Sequence, residues 1–162
     1  MPRKSAGASS PQAQVAPETT ENPFSMNWSD RFALGIDLID QQHQTLFRLI
    51  DDLAIAIQHE SSDAALQAIF EKLKEYTLTH FAAEEQLMAR HGYTADEAHQ
   101  DKHRALEKSL TQLVVRAGNH EPLVSLQTMN FLQQWLYQHI DDVDRQFAAF
   151  LKNKGVTSVL DD

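Results

Sequence analysis

The chain has no cysteine, little glycine or proline, and no long apolar run among its 162 residues. The lack of cysteine excludes disulfides, thiolate metal sites and cysteine nucleophiles. Five glycines and five prolines are few for a β-rich fold with many tight turns. No apolar run reaches the roughly 20 residues that span a bilayer, and none follows Arg3 and Lys4 to form a secretory signal. We therefore expect a helical protein that is not associated with a membrane and that lies in the cytoplasm.

Basic residues are also scarce, since 14 lysines and arginines stand against 23 aspartates and glutamates, for a net charge of −9. Nucleic-acid binding needs clustered basic side chains, so nucleic acid is not an expected partner. The length and the hydrophobic content of 42% are typical of one globular domain with its own core. Histidine, in contrast, is abundant, with eight residues, and its placement carries the functional prediction.

Hydrophobic periodicity predicts an all-α fold. Residues 1–26 are rich in Ser, Ala, Pro and Gln, and we predict a disordered tail there because such a composition buries too little apolar surface to offset its ordering entropy. A short segment from Trp28 to Ile39 then leads into four stretches with apolar residues at steps of three and four, the period of one helix face. The predicted helices cover about 40–58, 63–90, 94–117 and 122–154.

Capping and turn residues mark the ends of these helices. The candidates are Ser61 and Ser62 before the second helix, Thr94 and Glu97 in capping-box spacing at the third, Gly118 after the third, and Pro122 in the first turn of the fourth. Only a few residues separate successive helices, and short loops make sequential helices antiparallel neighbours. We therefore predict an up-down-up-down four-helix bundle over residues 27–155, followed by a short C-terminal tail over 156–162.

Each apolar stripe, extended at the same step, reaches a histidine. The core-facing set comprises His43 on the first helix, His80 and Glu84 on the second, His99 and His103 on the third, and His139 on the fourth. The pairs on the second and third helices are four residues apart, so each pair projects from one helix face. In an antiparallel bundle all these positions fall at one end. A single buried histidine is more often a hydrogen-bonded core residue, but burying the whole set is costly unless it coordinates metal.

The donor types narrow the choice of metal. Imidazoles with a few carboxylates suit iron, zinc, copper or manganese, and five histidines exceed the needs of one tetrahedral zinc. Two metals that share carboxylates would use the whole set. The second carboxylate could be Asp141, Asp142 or Asp144, of which at least two should lie on a solvated face. Asp142 best shares the face of His139 on an ideal helix, whereas Asp144 is rotated by roughly 140° and would need a local bulge.

The chain resembles the bacterial hemerythrins over about Trp28 to Phe150. The matching segments are GIDLIDQQH at 35–43, HFAAEEQLM at 80–88, HQDKH at 99–103 and WLYQHIDDVD at 135–144. The resemblance implies two non-haem iron ions with an oxo or hydroxo bridge. Carried over by motif, one iron is held by His99, His103 and His139, the other by His43 and His80, and both by Glu84 and Asp144. The resemblance thus favours Asp144 over Asp142.

The resemblance also implies a function. The iron with two histidines has an open position where the family binds dioxygen, in a pocket lined here by Phe81, Trp135, Leu136 and Ile140. An apolar lining excludes the water and protons that would leave an oxidised, inactive centre. The prediction is reversible dioxygen binding for storage, delivery or buffering, without enzymatic activity and with no protein partner identified. The alternatives are a di-iron redox enzyme that reduces peroxide or nitric oxide, an oxygen or redox sensor, and a metal-free structural bundle.

Overall fold

The computed structural model describes residues 25–119 and 126–158. A 3₁₀ turn and five α-helices follow one another: the turn at Asp30–Phe32, α1 at Asp37–Gln58, α2 at Asp63–His91, α3 at Asp96–Gly118, α4 at Leu126–Gln138 and α5 at Arg145–Asn153. A π-helical segment, His139–Asp144, joins α4 to α5 without a break in helical backbone, so these three elements form one rod. The described residues contain no strand. The all-α prediction is therefore confirmed.

Four helical rods make up the bundle, namely α1, α2, α3 and the continuous rod from α4 to α5. Residues 59–62 join α1 to α2, and residues 92–95 join α2 to α3, so each of these pairs is antiparallel. α2 packs against both α1 and α3, and α4 packs against α1. The described part of the chain has no helix that is long and apolar enough to cross a membrane. Predictions for residues 1–24, for His120, for Pro122 and for 159–162 lie outside the described residues.

Two aspartates of α1 fasten the N-terminal segment to the bundle. Asp51 accepts a hydrogen bond of 2.6 Å from the backbone N–H of Met26, and Asp40 accepts bonds of 2.7 and 2.9 Å from the N–H groups of Leu34 and Gly35. Met26 is only 1% exposed and belongs to the core. Met26 is therefore part of the bundle rather than of the disordered tail predicted over 1–26.

The predicted helix ends are partly corrected. Ser62 caps α2 as expected, because its hydroxyl accepts from the N–H of Ala65. Thr94 does not cap α3, which begins at Asp96 with Ala95 as an N-cap that makes no side-chain bond. The turn after α2 extends past Thr94. Gly118 is the last residue of α3 rather than its stop, and a Cβ there would lie 3.1 Å from Gln67 Nε2, so close approach explains the glycine better.

The C-terminal boundary also shifts. The predicted tail begins at residue 156, yet Val156 packs against the core and donates its N–H to Leu151 O at 3.0 Å. Thr157 O accepts from the N–H of Asp37 at 3.3 Å. The chain after α5 thus closes over the start of α1.

Gly92 ends α2 in a left-handed conformation, with φ of +67°. We predict that Gly92→Ala lowers the free energy of unfolding by about 1 kcal/mol, because a left-handed backbone disfavours Cβ by roughly 1–2 kcal/mol. No neighbouring atom lies within 4 Å of the added Cβ, so the loss should come from backbone conformation alone. Gly92→Asn should cost less, since asparagine tolerates this conformation. Chemical denaturation measures both variants, and equal losses would contradict the backbone explanation.

Candidate metal centre

Two overlapping groups of buried donor atoms lie at one end of the bundle. One group comprises Glu84, His99, His103, His139 and Asp144, and the other comprises His43, His80, Glu84 and Asp144; within each, the donor atoms lie within 4.8 Å of one another. All seven side chains are buried, and the most exposed of them is His139 at 4%. The two carboxylates belong to both groups. The structure therefore brings together all seven side chains that the family resemblance implied as ligands.

Each rod contributes donors at the same level. The late part of α2 supplies His80 and Glu84, and the early part of α3 supplies His99 and His103. Because α2 and α3 are antiparallel, these two pairs face one another. His43 lies near the start of α1 and His139 begins the π-helical segment. The four-residue spacing keeps each pair on one helix face, and the short connections at 59–62 and 92–95 bring the donors of α1, α2 and α3 to the same level.

The π-helical segment decides which aspartate reaches the centre. In an ideal α-helix a residue five positions after His139 turns away from it, but the wider π-helical turn pairs residues five apart. Asp144 is accordingly fully buried, with Oδ1 3.0 Å from His139 Nε2. The Asp142 side chain is 64% exposed beside Lys102, and that of Asp141 is 39% exposed beside Arg31. The structure thus places Asp142, the residue that ideal-helix geometry favoured, outside the donor cluster.

Three imidazole nitrogens converge in one group. His139 Nε2 lies 3.2 Å from His99 Nε2 and 3.1 Å from His103 Nε2. Metal–imidazole bonds of about 2.1 Å at right angles would put two nitrogens about 3 Å apart. These three nitrogens are therefore spaced as adjacent ligands of one ion.

Each carboxylate directs one oxygen to each group of histidines. Asp144 Oδ1 lies 2.9 Å from His99 Nε2, and Oδ2 lies 2.9 Å from His43 Nε2. Glu84 Oε2 lies 3.2 Å from His103 Nε2, and Oε1 lies 3.3 Å from His80 Nε2. A carboxylate placed in this way can bridge two ions. In both carboxylates, one oxygen lies near the group of three histidines and the other lies near the group of two.

Charge within the cluster keeps both carboxylates ionised. Burial and the nearby Asp144 would raise the pKa of Glu84, but His80 and His103 outweigh them and hold it well below its usual range. Burial would likewise raise the pKa of Asp144, but His139, His43 and His99 hold it well below its usual range.

The carboxylates in turn raise the pKa of two of the imidazoles. Burial lowers the pKa of His99, but the negative charges of the nearby Asp144 and Glu84 carboxylates outweigh burial and raise it to about 9. Burial also lowers the pKa of His80, but the charge and close contact of Glu84, together with the charge of Asp144, outweigh burial and raise it. A metal must displace these protons to reach the nitrogens, so binding should release protons.

Several of the buried donor atoms have no hydrogen-bond partner, as expected of metal ligands. Both oxygens of Glu84 and of Asp144, and Nε2 of His43 and His80, make no hydrogen bond within the described part of the chain. Their neighbours lie at ion-pair distances but with angles that form no hydrogen bond. Buried polar atoms are costly unless they are paired or coordinate a metal. The donor set therefore fits a pair of metal ions.

A family model described as "Hemerythrin HHE cation binding domain" matches residues 34–151. The chain belongs to the hemerythrin family. Bacteriohemerythrin of Stenotrophomonas maltophilia (strain R551-3) is 33% identical over 125 residues, which cover 77% of this chain and 80% of that protein. Bacteriohemerythrin of Pseudomonas aeruginosa (strain LESB58) is 35% identical over 126 residues, covering 78% and 81%. A crystal structure of wild-type hemerythrin superposes with a TM-score of 0.71 at 26% identity, covering 78% of this chain and 97% of that one.

Hemerythrins are di-iron proteins that bind dioxygen, so non-haem iron is the metal that family membership supports. Five imidazoles and two carboxylates are compatible with iron, since imidazole and carboxylate both serve as its ligands. The division into three and two histidines would give two bound ions different surroundings.

An apolar cavity of about 20 Å³ lies beneath the centre, above the volume of about 10–15 Å³ that one water-sized molecule needs. It is lined by Leu46, Ile50, Leu73, Thr77, Leu106, Leu110, Leu132, Trp135 and Leu136. Of the four predicted pocket residues, Trp135 and Leu136 line this cavity. Phe81 and Ile140 do not, and the Phe81 ring instead stacks on His103 with centroids 3.7 Å apart.

The lining residues that the sequence analysis did not name share a signal with the histidines. Eight of the nine lie three or seven positions from a histidine of the cluster, for example Leu46 after His43 and Leu106 after His103. Spacing of this kind places them one or two turns further along the same helix face. The helical period could therefore have located the cavity.

Two further residues that the sequence analysis missed orient histidines. Gln42 Oε1 lies 2.7 Å from His80 Nδ1, and Glu85 Oε1 lies 3.0 Å from His103 Nδ1. An oxygen at Nδ1 fixes the proton there and leaves the Nε2 lone pair directed at the centre. Each oxygen acceptor comes from the position next to another proposed ligand, His43 or Glu84.

We predict that His103→Leu lowers the iron content of the protein, because it removes a nitrogen from the three-histidine group. Colorimetric iron analysis after anaerobic reconstitution measures the effect. His59→Leu is the matched control, since His59 is exposed at the end of α1. Iron content should fall to half of the parent value or less in His103→Leu and stay unchanged in the control. Full iron loading of a folded His103→Leu variant would exclude His103 as a ligand.

Proposed function

We propose that the chain binds dioxygen reversibly at a non-haem di-iron centre. The proposed ligands are His99, His103 and His139 for one iron, His43 and His80 for the other, and Glu84 and Asp144 for both. The observation that carries the proposal is the sharing of both buried carboxylates between the two histidine groups. We further propose that the bundle over 27–155 performs this function in the cytoplasm, where it would store, deliver or buffer dioxygen.

The residues divide the work of the centre. The iron pair, when bound, supplies the electrons that reversible dioxygen binding requires. His99, His103 and His139 would hold one iron, while the side with His43 and His80 offers fewer protein ligands and would leave a position for dioxygen. Glu84 and Asp144 hold the two sides together. Their burial fixes the geometry, because no water competes for the carboxylate oxygens.

The number of anionic ligands favours a carrier. Ferritin-like di-iron sites use four glutamates and two histidines, whereas this cluster offers two carboxylates and five imidazoles. Fewer anions stabilise the ferric state less, which favours release of dioxygen over permanent oxidation. The apolar cavity one turn below the centre supports the same conclusion, since an apolar lining excludes water and protons.

One observation favours the redox enzyme as a second candidate. A solvent-open groove reaches the centre at His139, with Lys102 and Asp142 among its lining residues. The half-buried Trp135 lines the same groove and stacks on His139, with centroids 4.4 Å apart and an interplanar angle of 14°. A reductant docked in this groove would lie close to a proposed iron ligand.

The visible absorption spectrum of the reduced, iron-loaded protein tests the proposal. Exposure to air should produce a new visible band, and removal of dioxygen under argon should abolish it over several cycles. Such reversibility would support a carrier. A band that changes once and needs reductant for recovery would favour the redox enzyme. Failure of the protein to bind iron would reject both functions.

We predict that Leu106→Phe slows dioxygen association several-fold while iron content stays unchanged. Leu106 lines the apolar cavity one turn from His103, and a larger ring there should fill the space next to the centre. Leu113→Phe is the matched control, because Leu113 is buried on the same helix but does not line the cavity. Stopped-flow mixing with dioxygen measures the rate. Equal effects of the two variants would indicate general loss of packing rather than a role of the cavity.

A further inference from the structure

The two sides of the centre differ in the residues that hold their histidines. On the three-histidine side, the Nδ1–H of His103 points to the Glu85 carboxylate at 3.0 Å. On the two-histidine side, the Nδ1–H of His80 points to the neutral amide oxygen of Gln42 at 2.7 Å. The structure therefore pairs one side with an anion and the other with a neutral group.

Glu85 also connects the centre to the protein surface. Its side chain is 22% exposed and forms an ion pair with the guanidinium of Arg104, which is itself 53% exposed. Arg104 makes a second ion pair with Glu107 at 3.0 Å. Gln42, in contrast, is buried at 9% exposure. A chain of contacts thus runs from a surface cation through a carboxylate to one proposed ligand, and among the described residues no such chain reaches His80 through Gln42.

An imidazole that donates to a carboxylate is a stronger ligand than one that donates to an amide. The carboxylate draws the Nδ1 proton and increases the electron density at Nε2, so the ring binds a more highly charged ion more firmly. On this basis Glu85 should favour the ferric state of the iron that His103 holds. Gln42 exerts no such pull on His80, and the two irons should therefore differ in their ease of oxidation.

We propose that Glu85 is a positioning residue that acts through His103 to lower the reduction potential of the three-histidine iron, and that Arg104 limits this effect. The inference rests on the proposed di-iron function. Arg104 limits the effect because its positive charge competes with the Nδ1 proton of His103 for the electrons of the carboxylate. Loss of Glu85 and loss of Arg104 should therefore change the potential in opposite directions.

An anaerobic redox titration of the iron-loaded full chain tests the inference. Glu85→Gln keeps the shape and the hydrogen bond but removes the charge, and it should raise the reduction potential. Arg104→Gln should lower it. Glu85→Asp should keep the potential near the parent value, since a carboxylate is retained. Arg48→Gln is the control for loss of one surface positive charge, because Arg48 is exposed on α1 and contacts Thr45.

Metal affinity gives a readout that needs no redox chemistry. Zinc alone, titrated against a chromophoric chelator, should bind Glu85→Gln about tenfold more weakly than the parent, the lower range for loss of such a partner. Arg104→Gln should bind zinc at least as tightly as the parent. A purely structural role would weaken binding in both variants.

The outcomes separate this inference from the proposed function. Opposite shifts in Glu85→Gln and Arg104→Gln support the inference even if the parent fails to bind dioxygen reversibly. Shifts of the same sign, or a Glu85→Gln potential equal to that of the parent, would overturn it even if dioxygen binding is reversible. An equal effect of Arg48→Gln and Arg104→Gln would assign the change to net charge and also overturn it.

Discussion

Burial of two carboxylates in an apolar bundle is the constraint on which the rest of the structure depends. Glu84 and Asp144 are both fully buried, and two like charges in such a place are strongly unfavourable without compensation. Five imidazoles surround them, yet several oxygen and nitrogen atoms of the cluster lack hydrogen-bond partners in the described residues. The protein fold alone therefore does not satisfy the cluster. Bound cations would supply the missing charge and the missing partners together.

This constraint explains the π-helical segment between α4 and α5. A π-helical turn is rare and less favourable than a regular α-helix. Without it, His139 and Asp144 would face different directions, and one of the two carboxylates would leave the cluster. The segment aligns both residues while the apolar face of the rod stays in the core, with Ile140 and Phe147 fully buried. The unfavourable free energy of the irregular turn is thus the cost of placing the Asp144 carboxylate in the cluster.

Helical period, residue chemistry and family resemblance account for different parts of what the sequence could predict. The period located the helices and the six core-facing donors up to His139, because one face of each helix is uniform along its length. It failed for Asp144, since an ideal helix contains no irregular turn, and only the resemblance favoured that residue. Gln42 and Glu85 were missed because their partners are 38 and 18 positions away. Contacts of this range depend on the packing of α1 and α3 against α2, which no local pattern contains. The prediction that Thr94 caps α3 was wrong for a related reason, because the turn after α2 sets where α3 starts.

The same packing gives the centre two unlike sides and two unlike surroundings. The layer one turn below the cluster is apolar, whereas Glu85 and Arg104 connect the three-histidine side to solvent. A site that binds dioxygen reversibly needs both conditions, because it must exclude water where the ligand binds and still stabilise the extra charge when electrons leave the metals. Stabilisation of charge is best placed on the side with the most protein ligands, away from the position proposed for dioxygen. The carboxylate partner of His103 lies on that side, and the neutral partner of His80 lies on the other. The anionic partner thus lies on the side with three histidines and the neutral partner on the side with two. This arrangement is expected if one iron mainly stores charge and the other mainly binds dioxygen.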